Sequence, residues 1–405
     1  MKDFFPGYSR KSEAEIKNIW QNGIILFDTN VLLNLYRYSK STRETIVNLI
    51  GKFKDQIWLP HQAALEYNKN RYEVIADQEK TYKEFTEKII QIQKDLQTTS
   101  KPPFLSEKVH SELNEVFEKV NSEVEDSITK YCDYLKEDPI YKDLGSLFEN
   151  RITEAFEEKE LSKIYEEGEE RFKNKVPPGY EDEKNKSGNR KYGDLVLWKQ
   201  VMAKAKELGK PVLLVTDERK TDWWWKIKDG RNMGPRHELV AEIRKEANVD
   251  FHMYSSERFL SYGQTFLEEQ INEKALKEIQ AMKKAEMEHI RMLKRRQERE
   301  KERNLAIHDQ LSFIRHRYET LSERLKEIEQ QQEDLMIDAQ DNMEVQEYIH
   351  NLSIHKAELE QEMEHLREQL INHDRIEFDR SDKDIRRRKV LDYEKFLEYK
   401  KRRKE

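Results

Sequence analysis

Apolar and polar positions along this chain fall into three textures. Residues 1–68 and 176–262 hold short unbroken apolar runs, residues 69–175 repeat apolar positions at helical spacing among charges, and residues 263–405 are nearly free of Gly and Pro. The run Ile24-Ile25-Leu26-Phe27 ends at Asp28. Four consecutive apolar residues predict a strand buried on both faces, as in a parallel sheet. Gln56-Ile57-Trp58-Leu59, stopped by Pro60, predicts a second strand. Pro211-Val212-Leu213-Leu214-Val215, followed by Thr216-Asp217, predicts a third, and Asp250-Phe251-His252-Met253-Tyr254 a fourth. Helical stretches separate them, so the pattern predicts an α/β domain with a parallel sheet flanked by helices.

Between the second and third strands lies a long helical insertion, residues 69–175. Ile75, Tyr82, Phe85, Ile89, Ile92 and Leu96 fall at helical spacing. Lys101-Pro102-Pro103 breaks that helix, since proline removes a donor and clashes with the preceding turn. Val109, Leu113, Val116, Val120, Val124, Tyr131 and Leu135 mark a second helix, ending near Asp138-Pro139. The two are expected to form an antiparallel helical hairpin on the α/β core.

Past residue 262 the apolar beat changes. Ile307, Leu311, Ile314, Tyr318, Leu321, Leu325 and Ile328 alternate spacings of four and three, the heptad pattern of a coiled coil. Val345, Ile349, Leu352, Leu359, Met363, Leu366 and Leu370 keep a similar beat, and Asp338 to Asn342 between them reads as a turn. A folded-back hairpin with arms of about 40 Å is one reading of residues 263–405. A continuous helix in a parallel dimer is the other. An exposed seam on a lone helix is unfavourable, so a homo-oligomer or a partner protein is expected through this region. It ends in a basic tail, Arg386-Arg387-Arg388-Lys389 and Lys400-Lys401-Arg402-Arg403-Lys404.

Composition changes this picture little. Charged residues make up 38% of the 405, with only 12 Gly and 9 Pro, which fits long helices. The net charge of -7 does not mark the whole molecule as a nucleic-acid binder. The single cysteine, Cys132, excludes an internal disulfide framework and a cysteine-based zinc site, and suits a reducing cytoplasm. No signal-peptide core is expected in Met1 to Gly7, and no apolar stretch approaches membrane-spanning length.

The chemistry lies in the carboxylates. Asp28 and Asp217 each follow a buried strand, and ligands bind at the carboxyl ends of strands in open parallel sheets. Glu66 stands early on the helix after the second strand. Asp194, in Tyr192-Gly193-Asp194-Leu195, opens another helix, and Asp222 follows in Asp217-Glu218-Arg219-Lys220-Thr221-Asp222-Trp223-Trp224-Trp225. Two carboxylates about 4 Å apart repel by roughly 4 kcal/mol at an effective dielectric near 20. A gathered set therefore calls for protonation or a cation, and hard oxygen donors favour Mg²⁺ or Mn²⁺. Each Asp alone also reads as a helix N-cap. The three tryptophans suit packing against the sheet as well as base stacking, and His61 and His237 suit surface or core positions.

Taken in order, Phe27-Asp28-Thr29-Asn30, Glu66, Gly193-Asp194 and Val215-Thr216-Asp217 resemble the PIN-domain nucleases. Pro177-Pro178-Gly179-Tyr180 and Thr221-Asp222-Trp223-Trp224 are similar to a bacterial PIN-like subgroup with a helical insertion. The resemblance covers about residues 1–262. It implies a nuclease in which Asp28, Glu66, Asp194 and Asp217 hold one or two ions, with Asp222 a candidate fifth ligand and Asn30 supporting Asp28 or a water. It implies cleavage to 5′-phosphate and 3′-hydroxyl ends, RNA in preference to DNA, and a toxin or phage-defence setting. Lys184, Arg190 and Lys220 are candidate contacts to the substrate backbone. A flap-type DNA nuclease and a non-catalytic scaffold working through the coiled coil are the alternatives.

Overall fold

The computed structural model describes residues 1, 4–97, 105–183, 186–337 and 343–371. Lys101-Pro102-Pro103, Lys184, the turn at residues 338–342 and the basic tail lie outside them.

The described chain runs α1 (Glu13–Asn22), β1 (Ile24–Phe27), α2 (Thr29–Asn34), α3 (Lys40–Lys52), β2 (Ile57–Trp58), α4 (His61–Gln97), α5 (Glu107–Tyr134), α6 (Pro139–Leu147) and α7 (Glu158–Lys173). Two 3₁₀ turns, Tyr180–Asp182 and Gly188–Tyr192, lead into α8 (Gly193–Leu208). Then come β3 (Val212–Val215), β4 (Trp224–Lys226), β5 (Asn232–Pro235), α9 (His237–Ala247), β6 (Phe251–Tyr254), α10 (Ser256–Phe266) and α11 (Glu273–Ile337). A further helix covers residues 343–371.

The main sheet has the order β2-β1-β3-β6, and every pairing in it is parallel. The four predicted strands are these four. β1 and β3 are buried along their whole length, as their unbroken apolar runs require. They are neighbours in the sheet, with Phe27 opposite Val215, so Asp28 and Thr216 leave the same end side by side. A small antiparallel pair, β4 with β5, has no counterpart in the apolar pattern. Its Trp224 is buried in the main core, as is Trp223 just before it, which agrees with the packing role.

The insertion is a helical pair, but its first helix does not begin at residue 69. α4 runs unbroken from His61, so the helix that carries Glu66 continues straight into the insertion. α5 returns antiparallel to it, with Tyr82 stacked on Tyr131 at 5.7 Å. Ile75, Ile89, Val124 and Tyr131 are buried, whereas Phe85, Ile92, Val109 and Val116 are exposed. The apolar seam is wider than the contact between the two helices.

The chain divides into two compact units, residues 1–285 and 286–405. The first unit's core takes in α10 and the opening turns of α11, where Ala275 and Ile279 are buried. In the second unit, Leu321 and Ile328 of α11 pack with Leu359 of the following helix, flanked by Leu325, Leu352, Met363 and Leu366. Arg317 pairs with Glu362 at 3.0 Å and Lys356 with Glu329 at 2.8 Å. Higher numbers on one arm meet lower numbers on the other, so this is the folded-back hairpin and not a continuous helix. Among the described residues no helix is long and apolar enough to cross a membrane.

Candidate active site

Asp28 caps α2. Its Oδ1 accepts the backbone N–H of Thr29, the first residue of the helix, at 2.7 Å. The other oxygen ties the strand ends together. Oδ2 accepts from Asn30 Nδ2 at 2.7 Å and from Thr216 Oγ1 at 2.6 Å. Asn30 also accepts the Asp217 backbone N–H on its Oδ1 at 2.9 Å. One asparagine thus fixes the ends of β1 and β3 against each other. Burial pushes the Asp28 carboxyl up to about 7, against the Thr216 hydrogen bond, and the charges of Asp194, Glu218 and Glu66 push it further the same way.

Glu66 reaches the same region from α4. Its Oε1 accepts from Gln62 Nε2 at 2.7 Å, and Oε2 lies 3.4 Å from Thr29 Oγ1. It lies against the start of α8, where a Cβ built on Gly193 would fall 2.7 Å from Oε1. Glycine there leaves the carboxylate in its place, where any side chain would push it aside, which gives Gly193-Asp194 a steric reason. Asp194, in the first turn of α8, accepts on Oδ2 from Trp223 Nε1 at 3.1 Å and from Lys220 Nζ at 3.3 Å.

Asp217 is placed differently. Its Oδ1 accepts the Ser256 N–H at 3.0 Å, and Oδ2 accepts from Ser256 Oγ at 2.6 Å and Asn34 Nδ2 at 3.0 Å. The N-terminus of α10, with its free N–H groups, engages this carboxylate. The acid after β3 that acts on Asp28 is instead Glu218. Nothing in the motif pattern singles Glu218 out; its signal is only that it is the neighbouring acid on the same loop.

Asp222 is fully buried. Its Oδ2 accepts the backbone N–H groups of Gly179 at 2.8 Å and Glu181 at 3.3 Å, which fastens the 177–183 turn to the β3–β4 loop. Burial pushes its carboxyl up to about 6. Asp182, which the motif pattern also passes over, is buried on that turn and pairs with Lys186 at 2.5 Å and Lys220 at 2.8 Å. Lys220 is therefore among the acids. Arg190 is exposed and bonds Ser187, and Lys184 is outside the described residues. His237 packs on Tyr8, with ring centres 4.1 Å apart.

The structure brings Asp28, Glu66, Asp194 and Glu218 into mutual electrostatic range at the carboxyl end of the sheet. Among the described residues no three acidic, histidine or cysteine side chains stand close enough to hold an ion as they are. The chemistry of the donor set does fit one. After burial, the charges that push the Asp28 carboxyl up come from three carboxylates, Asp194, Glu218 and Glu66, and hard oxygen donors of this kind suit Mg²⁺ or Mn²⁺.

A family model described as PIN like domain matches residues 24–239. No curated protein and no solved structure matches the chain.

Proposed function

The chain belongs to the PIN-like domain family, and from that membership we propose that it is a divalent-metal-dependent nuclease, acting on RNA in preference to DNA. The observation that supports this reading is the convergence of carboxylates from four remote segments, at residues 28, 66, 194 and 218, on one end of a parallel sheet. Asp28, Glu66 and Asp194 would hold Mg²⁺ or Mn²⁺; Asp217, the fourth acid of the expected quartet, would join them only by leaving Ser256 and Asn34, and Glu218 is the neighbouring acid that acts on Asp28. Bound there, such an ion supplies charge neutralisation for the phosphodiester and lowers the pKa of water. The residues around it do the positioning. Asn30 and Thr216 orient Asp28, Gly193 admits Glu66, and Trp223 fixes Asp194. Lys220 stands where its charge can also meet a backbone phosphate.

The test is cleavage of labelled single-stranded RNA, single-stranded DNA and branched DNA by the full chain, with Mg²⁺ or Mn²⁺ and with EDTA. RNA cutting that needs the ion and is lost in Asp28→Asn supports the reading. Cutting confined to branched DNA selects the flap-type alternative. No cutting leaves the scaffold reading, and equal cutting by Asp28→Asn overturns the assignment of the site. For the proposed toxin or phage-defence setting, expression in bacteria should arrest growth, and Asp28→Asn should relieve the arrest.

A further inference from the structure

Three carboxylates from three separate segments meet on one nitrogen. Lys220 Nζ lies 2.8 Å from Asp182 Oδ1, 3.0 Å from Glu218 Oε2 and 3.3 Å from Asp194 Oδ2. The Asp194 contact is a hydrogen bond, and the other two are close ion pairs to the same ammonium. The seat is built, not incidental. Asp222 ties the turn that carries Asp182 to the loop that carries Lys220. Trp224 Nε1 donates to the Glu218 carbonyl at 2.6 Å, and Trp223 Nε1 donates to the same Asp194 oxygen that Lys220 reaches. Two of the three carboxylates on Lys220, Asp194 and Glu218, are also among the charged neighbours of Asp28.

An ammonium in that position does what a hard cation would do: it neutralises carboxylates that otherwise repel. It also holds Asp194 by Oδ2, one of the two oxygens of that carboxylate. We propose that Lys220 is a resident counter-cation that holds the acidic site together in the metal-free chain and must let go of Asp194 for a divalent ion to bind. The two cations then compete for one carboxylate, and the fold stays assembled whichever is present. This accounts for the finding that, among the described residues, no three acids stand at ion-holding spacing: Asp194 is kept on Lys220 and Trp223. The inference rests on the metal-dependent reading of the site and adds a residue that sets its affinity.

The experiment uses the full chain and Mn²⁺ as the probe. Binding is read by electron paramagnetic resonance of free Mn²⁺, and stability by thermal unfolding in EDTA, for wild type, Lys220→Met and Lys220→Arg. Breaking a charge-assisted hydrogen bond is worth roughly ten-fold in a binding constant. Lys220→Met should therefore bind Mn²⁺ roughly ten-fold more tightly than wild type while unfolding at a lower temperature in EDTA. Lys220→Arg, which keeps the charge, should stay near wild type in both. Equal or weaker Mn²⁺ binding by Lys220→Met, with measurable binding by wild type, overturns the competition and leaves the metal reading standing. No Mn²⁺ binding by either protein overturns both. A second measurement covers a variant that does not fold: amine labelling of Lys220 in the wild type, read by mass spectrometry, should rise when Mn²⁺ is added. Unchanged labelling overturns the proposal.

Discussion

At the scale of single residues, the site spends stability on charge. Asp28 is raised to about 7 from an ordinary 3.8, mainly by burial. The folded, metal-free chain therefore keeps a proton that the unfolded chain has already released between about pH 4 and pH 7. Proton linkage gives the sign: this group's contribution to stability falls as pH rises through that window. Asp222, raised to about 6 by burial, acts in the same direction. Thermal unfolding in EDTA should give a lower midpoint at pH 8 than at pH 5.5. Asp28→Asn should lose part of that slope and unfold at a higher temperature than wild type at pH 8. A steeper slope in the variant would contradict the burial of Asp28 among these acids. Gly193 offers a second residue-scale test. A methyl at Gly193→Ala would meet Glu66 Oε1 at 2.7 Å and must displace it. Cleavage should drop by about ten-fold or more, as when a positioned catalytic group is misplaced, with the fold intact by circular dichroism. Asp28 and Gly193-Asp194 are legible in the sequence because each occupies a break between elements. Glu218 and Asp182 are not. Which of two adjacent loop acids faces the site depends on where the loop's tryptophans pack, and that is decided by the tertiary fold.

Elements decide whether those residues meet. The two central strands, β1 and β3, can be read from the chain because burial on both faces leaves no polar position in them, while the edge strand β6 keeps a half-buried His252. β4 and β5 cannot, because Asn232-Met233-Gly234-Pro235 has no strand pattern; it pairs with Trp224 to Lys226, whose Trp224 is anchored in the core. The insertion poses a related problem. Its helices are visible in the periodicity, but what seats them on the core is a polar network. Tyr36 OH donates to Asp138 Oδ2 at 2.5 Å, Arg71 Nη1 donates to the same oxygen at 3.0 Å, and Tyr67 OH meets Tyr36 OH at 2.7 Å. Asp138 also caps α6 through the Tyr141 N–H. Asp138 and Arg71 are both nearly buried, so removing one leaves the other charge unpaired, a loss of about 3 kcal/mol. Asp138→Ala should lower the urea midpoint by that equivalent with an unchanged m-value. A change under about 0.5 kcal/mol, the range of ordinary surface substitutions, would show that the network does not seat the insertion.

For the molecule as a whole, the sequence leaves open what satisfies the heptad seam. The same apolar spacing fits a chain paired with itself or with a copy, because heptads specify a partner helix and not its origin. Packing of Leu321 and Ile328 on Leu359 answers for this chain: the second unit covers its seam by folding back. That answer is testable by a single cross-link. Gln332 Nε2 lies 2.9 Å from Ser353 Oγ across the hairpin. In a continuous helix the same two residues would be about 30 Å apart along one axis. A Gln332→Cys, Ser353→Cys chain with Cys132→Ser should oxidise to a disulfide within one polypeptide, with its mobility on non-reducing gels shifted at monomer mass. A cross-linked dimer, or no cross-link, would instead select pairing between copies. The outcome also bears on the nuclease. If the seam is covered within one chain, the two helices are free of any obligatory partner, and RNA cleavage by the first unit should show no dependence on protein concentration beyond simple proportionality. If the seam pairs copies, specific activity should fall on dilution as the assembly comes apart.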